Sequence, residues 1–265
     1  MRVWRGGPPV FLCVNLVTVV VFVPAAVQFR VQVMTLTIDS AFPADLERRL
    51  GALGVIAVLV VDEAADAVPL ARALMDGGVG GIELTLRTDV ALEAVRRIRA
   101  EVPELLVGVG TILTPAQVDQ TLAAGGQFGV APGMNPRTVA AARQRGLPFA
   151  PGVCSPTDIE LALEAGCTTL KFFPCEPSGG LPFLRSIAAP FAHLGVRFIP
   201  LGGIDAGNAE TYLREPLVRA IGGSWLAPRD LIRARDWAEV TRRAAGAVAS
   251  VRRVRGEVHS GGSDR

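Results

Sequence analysis

Residues 54–111 read GVIAVLVVDEAADAVPLARALMDGGVGGIELTLRTDVALEAVRRIRAEVPELLVGVGT, and their pattern decides the fold. Short apolar runs at 54–61, 81–87 and 105–111 flank two amphipathic stretches. In the first stretch Ala67, Leu70, Ala71 and Leu74 recur on one helical face. In the second, Val90, Ala94, Ile98 and Val102 do the same, with Arg96, Arg97 and Arg99 turned away. Outward from this stretch the alternation continues, with apolar runs at 128–133, 148–153, 169–174, 197–203 and 218–226. Thr114 before Pro115 and Ser155 before Pro156 are helix starts. Gly77–Gly78, Gly125–Gly126, Gly146 and Gly166 are stops. Eight strand–helix units predict an α/β fold, a single-domain (β/α)8 TIM barrel with both strand faces buried. An open doubly wound sheet is the runner-up, weakened because Gly108-Val109-Gly110 lacks the third glycine of a dinucleotide loop. No GxxxxGK[ST] loop is present. Residues 43–53 read as a short helix plugging the barrel's N-terminal face.

The chain's 265 residues are 50% apolar and 20% charged, with a net charge of +2, which supports a buried core and excludes general disorder. From Arg229 onward nine arginines face five acids, so the preceding body is slightly acidic and lacks a nucleic-acid binder's footprint. Four cysteines without CxxC spacing read as free thiols in a reducing compartment, which implies a cytoplasmic protein. Residues 1–33 contain an apolar run, 10–27, behind Arg2 and Arg5. A signal peptide or anchor is one reading. The favoured one is an upstream extension, because Met34 opens a soluble start. Domain boundaries are therefore expected at 1–33 for the extension, 34–251 for the barrel, and 252–265 for a flexible tail rich in Arg, Gly and Ser.

The basic residues are 26 Arg and one Lys, Lys171. Arginine can hold charge or bind phosphate, but it cannot supply a neutral amine. Lys171 falls near the C-terminal end of the sixth run, where barrel enzymes keep their catalytic groups. Desolvation there disfavours the ammonium and raises the nucleophilic fraction. Glu83, Thr85 and Arg87 alternate along the second run and are expected inside the barrel, with Ile82, Leu84 and Leu86 outside. Glu83 suits proton transfer and Arg87 an anionic substrate group; a mutually satisfied Glu83–Arg87 pair is the structural alternative. Thr111 closes the third run with a hydroxyl beside close-approach glycines. Gly202-Gly203 ends the seventh run and Gly222-Gly223-Ser224 the eighth, the two positions where barrels commonly bind phosphate. Trp225 is expected to support that loop, and Cys175 is a candidate pocket thiol. His193 and His259 are placed neither for a Ser–His or Cys–His system nor for zinc.

The segments GIELTLRT, VGVGTILTPAQ, VAPGMNP, PFAPGVCSPTDIELALEAG, LKFFPCEPSGG, PLGGID and IGGSWLAP occur in that order between residues 45 and 249. Together they resemble the 2-keto-3-deoxy-6-phosphogluconate (KDPG) and 2-keto-4-hydroxyglutarate (KHG) aldolase family. The resemblance implies a class I, Schiff-base aldolase on a (β/α)8 barrel, commonly a homotrimer, serving the Entner–Doudoroff pathway. Carried over at matching motifs, Lys171 is the Schiff-base lysine and Glu83 the acid/base. Arg87 and Thr111 match carboxylate-binding positions, and Gly202, Gly203, Gly222, Gly223 and Ser224 the phosphate site. Pro132, Phe173 and Leu201 fall on the substrate pocket. Members specific for the gluconate sugar often carry Thr before the glycine pair, where Leu201 stands here. The expected ligand is a phosphorylated keto acid, with no cofactor, metal, nucleic acid or membrane required. A cofactor-free phosphosugar isomerase or epimerase on the same barrel is the alternative, and a non-catalytic phosphate-binding barrel a more distant one.

Overall fold

A computed structural model describes residues 16–19, 31–34 and 42–260. Two strands, β1 (Leu16–Val19) and β2 (Val31–Met34), pair antiparallel. The expected 33/34 boundary falls inside β2; most of the remaining extension, including most of the 10–27 run, lies outside the described residues. The helix α1 (Ala44–Leu53) precedes an alternating series: β3 (Val55–Leu59), α2 (Ala67–Asp76), β4 (Gly81–Thr85), α3 (Ala91–Glu101), β5 (Leu106–Gly110) and α4 (Pro115–Ala123). It continues through β6 (Phe128–Val130), α5 (Pro136–Gln144), β7 (Phe149–Ala150), β8 (Gly152–Val153), α6 (Pro156–Glu164) and β9 (Thr169–Phe172). The last elements are α7 (Gly180–Ala188), β10 (Arg197–Pro200), α8 (Ala209–Leu213), β11 (Ile221–Gly223), α9 (Arg229–Ala234) and α10 (Trp237–Ser260). Every apolar run contains a strand.

The strands form a curled parallel sheet on an α/β fold. One sheet has the order β11-β3-β4-β5-β6-β7 and another β10-β9-β8. The fifth run is divided at Pro151, which has no N–H to donate to a ladder. Its carbonyl still accepts from Lys171 N at 2.9 Å, so one bent strand serves both sheets. Single bridges, Phe198 to Val218 and Leu201 to Gly222, link the β10 and β11 sides.

Strand residues alternate between two cores, as a period of two requires. Ile82, Leu84, Val107, Val109, Leu170 and Phe172 pack outward with the helices. Ile56, Leu106, Phe128, Val130 and Ile199 pack inward, joined by Phe42 and by Leu50 of α1. The helix before β3 thus contributes Leu50 to the inner core, with Leu46 and Leu53 packed against it. Its neighbours are shaped for one another: a Cβ on Gly108 would sit 2.1 Å from the Phe128 ring. Thr114 forms a full capping box with Gln117, and the Ser155 side chain accepts from the Asp158 N–H.

The tail expected from residue 252 needs correction, because α10 runs on to Ser260. Val240, Ala244, Val251 and Val254 are buried at helical spacing. That apolar face carries the helix past Arg242, Arg252 and Arg253, which are exposed. Residues 261–265 lie outside the described residues. Among the described residues, no helix is long and apolar enough to cross a membrane.

Candidate active site

Leu170 and Phe172 point outward from β9, so Lys171 between them points inward. On β4 the same parity turns Glu83 inward between Ile82 and Leu84. Lys171 Nζ donates to Glu83 Oε1 at 2.8 Å, with side chains only 7% and 5% exposed. Room for this carboxylate comes from Gly110 on the neighbouring strand, where a Cβ would lie 2.0 Å from Glu83 Oε1. Nζ also sits 5.3 Å from the centre of the Phe173 ring. Removing both charges from water is costly, and the pair offsets this by its short, direct hydrogen bond.

The structural alternative of a Glu83–Arg87 pair is not what forms. Glu83 is engaged by Lys171, while Arg87 is exposed beyond the end of β4, with no side-chain partner among the described residues. Strand alternation stops at Thr85, and the Arg87 N–H turns back to the Thr85 carbonyl at 2.8 Å. Thr85 shares the inward register, but its hydroxyl donates to Leu59 O at 2.9 Å.

Thr111 follows β5 directly and has a left-handed backbone with φ of 61°. A β-branched residue is costly there, which fixes its half-buried side chain at the strand end. Gly202 and Gly203 also have positive φ, 94° and 85°. A Cβ on Gly203 would lie 2.5 Å from Glu176 Cβ, and the Glu176 N–H donates to Gly202 O at 2.9 Å. The loop after β10 thus lies against the segment that follows Lys171. Gly222 faces the Leu201 side chain, which is buried in the inner core. Trp225 lies over Gly223, where a Cβ would be 1.8 Å from the ring, and Ser224 beside it is exposed. Phe173 is half-buried and Pro132 exposed. Pro132 closely approaches Gly152, whose Cβ would be 2.3 Å from the Pro132 carbonyl. Lys171 and Glu83 meet, and the other expected residues gather on the C-terminal ends of the strands around them.

Cys175 needs correction as a candidate pocket thiol. It is buried in the outer core, with Sγ 3.2 Å from the Tyr212 hydroxyl. Burial, then the neighbouring Glu176 and Cys154, raise its pKa to about 11, against the lowering effect of the Tyr212 hydrogen bond. Tyr212 in turn donates to Glu176, a link that no sequence pattern signals because α8 supplies the tyrosine from 36 residues away. Cys154, Cys167 and Cys175 are free thiols, whereas Cys13 lies outside the described residues. His193 is exposed in a short turn before β10. Among the described residues, no group of three or more His, Cys, Asp or Glu could hold a metal ion.

An inward amine hydrogen-bonded to a carboxylate is a pairing that could serve attack on a carbonyl. The family model described as KDPG and KHG aldolase matches residues 46–243. The chain belongs to that family, and is a carbon–carbon lyase. The 2-dehydro-3-deoxy-phosphogluconate aldolase of Treponema pallidum (strain Nichols) is 48% identical over 187 residues, covering 71% of this chain and 88% of its own. A KDPG aldolase of Legionella pneumophila, with pyruvate captured at low pH as a covalent carbinolamine intermediate, superposes with a TM-score of 0.71 at 38% identity. That match covers 74% of this chain and 97% of the other. The Zymomonas mobilis ZM4 enzyme with 3-phosphoglycerate also scores 0.71, at 41% identity over 77% of this chain and 94% of its own. The isomerase or epimerase alternative is not favoured by these matches.

Proposed function

We propose that this chain cleaves KDPG to pyruvate and glyceraldehyde 3-phosphate, and also KHG to pyruvate and glyoxylate, through a Schiff base on Lys171. The observation that carries this reading is the buried 2.8 Å contact between Lys171 Nζ and Glu83 Oε1. Moving the shared proton to Glu83 leaves a neutral amine next to its own acid. Lys171 attacks the C2 ketone, and Glu83 returns a proton so that water leaves and a protonated imine remains. Removal of the C4 hydroxyl proton then sends the C3–C4 bonding pair into the imine. Glyceraldehyde 3-phosphate departs, the enamine takes a proton at C3, and water releases pyruvate and the free lysine. The imine is the electron sink, so the reaction calls for no cofactor.

Arg87 and the Thr111 hydroxyl would hold the substrate carboxylate. The backbone N–H groups around Gly202, Gly203, Gly222, Gly223 and Ser224 would hold the phosphate. Phe173 and Pro132 would wall the pocket, and Leu201, which has no hydrogen-bond donor, would leave the C4 epimer acceptable. The reading further includes closure of the curled sheet into a (β/α)8 barrel over 34–251, a homotrimer, and a cytoplasmic location. The two β10–β11 bridges and the bent fifth strand support closure. Incubating purified protein with KDPG should yield pyruvate and glyceraldehyde 3-phosphate in equal amounts. Recovery of unchanged or isomerised substrate would overturn the reading.

A further inference from the structure

The glycine loop after β10 lies against a carboxylate, Glu176, that the cleavage steps do not use. The Cys175 N–H donates to Leu201 O at 2.8 Å and the Glu176 N–H to Gly202 O at 2.9 Å, so the two segments run side by side. The Glu176 side chain crosses Gly203, where a Cβ would lie 2.5 Å from Glu176 Cβ and 2.8 Å from its Cγ. Glu176 is exposed, as Gly203 is. A carboxylate in that position would repel a phosphate dianion bound at the loop.

What holds the carboxylate is the chain's one tyrosine, Tyr212 on α8. Its ring is buried, its hydroxyl donates to Glu176 Oε1, and its oxygen accepts from the Cys175 thiol at 3.2 Å. Burial, and then the hydrogen bonds with Cys175 and Glu176, raise the phenol above its usual range, so it stays a donor at neutral pH. Gly180 leaves room for the pair: its φ is 61°, and a Cβ there would lie 3.0 Å from both Glu176 Oε1 and the Tyr212 hydroxyl. At the start of the same helix, Asn208 Nδ2 donates to Gly203 O at 3.0 Å. Helix α8 therefore grips the glycine loop twice, directly through Asn208 and through Glu176 by way of Tyr212.

We propose that Tyr212 is a positioning residue for phosphate binding: it tethers Glu176 to α8, which steadies the Gly202-Gly203 loop and keeps the carboxylate's charge off the substrate. The inference rests on the reading above that this loop holds the phosphate of KDPG. Tyr212→Phe keeps the ring and frees the carboxylate, while Glu176→Gln keeps the shape and removes the charge. In steady-state assays Tyr212→Phe should raise KM for KDPG about five- to tenfold and leave kcat within about twofold of the parent. Borohydride trapping of pyruvate on Lys171 should be unchanged. Adding Glu176→Gln to Tyr212→Phe should restore most of the KM, because a neutral amide does not repel the phosphate; a lesion of packing alone would not be rescued. An unchanged KM in Tyr212→Phe, with Gly203→Ala impaired on KDPG, would overturn the tether and leave the phosphate site standing. No effect in either variant would overturn the phosphate reading and the tether with it. A double variant as impaired as Tyr212→Phe, or a loss carried by kcat or by pyruvate trapping, would also contradict the proposal.

Discussion

At the scale of single residues, the proposed chemistry rests on one amine and one carboxylate. Glu83→Gln keeps the shape and hydrogen bonding of the pair but cannot take the Lys171 proton. Pyruvate binding should persist while kcat falls about 10²–10⁴-fold in steady-state assays; activity within a few-fold of the parent would reduce Glu83 to a structural partner. The buried thiols offer a second check. Burial raises Cys175 to about 11 and Cys167 to about 12, from an ordinary 9.0. A raised thiol value in the folded state stabilises the protein fully below pH 9, and that contribution is lost as pH rises through 11 to 12. At pH 8 both thiols hold their protons, so iodoacetamide followed by peptide mapping should label Cys154 and spare them. Lys171 and Glu83 were legible in the sequence because one stood alone among arginines and the other broke an apolar alternation. The fate of Arg87 and Cys175 was not, since both lie past a strand end, where side-chain direction no longer follows from a period of two.

At the scale of elements, local chemistry explains most boundaries. Thr114 and Ser155 cap the helices that begin at Pro115 and Pro156, as their spacing required. The division of the fifth run and the length of α10 were less visible. The first depends on which neighbours Pro151 meets, and the second on Val251 and Val254 finding a packed partner face. The glycine loop after β10 gives a specific test. Alanine at 203 would combine an unfavourable φ of 85° with a Cβ 2.5 Å from Glu176 Cβ, so the loop must shift. In Gly203→Ala, kcat/KM for KDPG should fall about tenfold or more, as lost phosphate hydrogen bonds imply. KHG, which has no phosphate, should be cleaved at nearly the parent rate. Equal losses for both substrates would place the defect at the imine rather than the phosphate.

For the whole molecule, the nine short strands β3 to β11 gather residues from distant stretches onto one end of a curled sheet. Glu83 and Lys171 are 88 residues apart, yet they meet at hydrogen-bond distance. The α/β class and its parallel strands were readable from the alternation of runs and helices. Which partner Glu83 would choose was not, because that depends on the sheet's curvature bringing β4 and β9 across the inner core. The proposed cleavage depends on an imine between Lys171 and the keto acid. Because the chain has only one lysine, borohydride reduction in the presence of pyruvate gives an unusually clean reading. Mass spectrometry should find the reduced pyruvate adduct on the peptide containing Lys171 and on no peptide of the Lys171→Ala protein. Absence of an adduct in the parent, or an adduct of similar yield in Lys171→Ala, would contradict the Schiff-base mechanism.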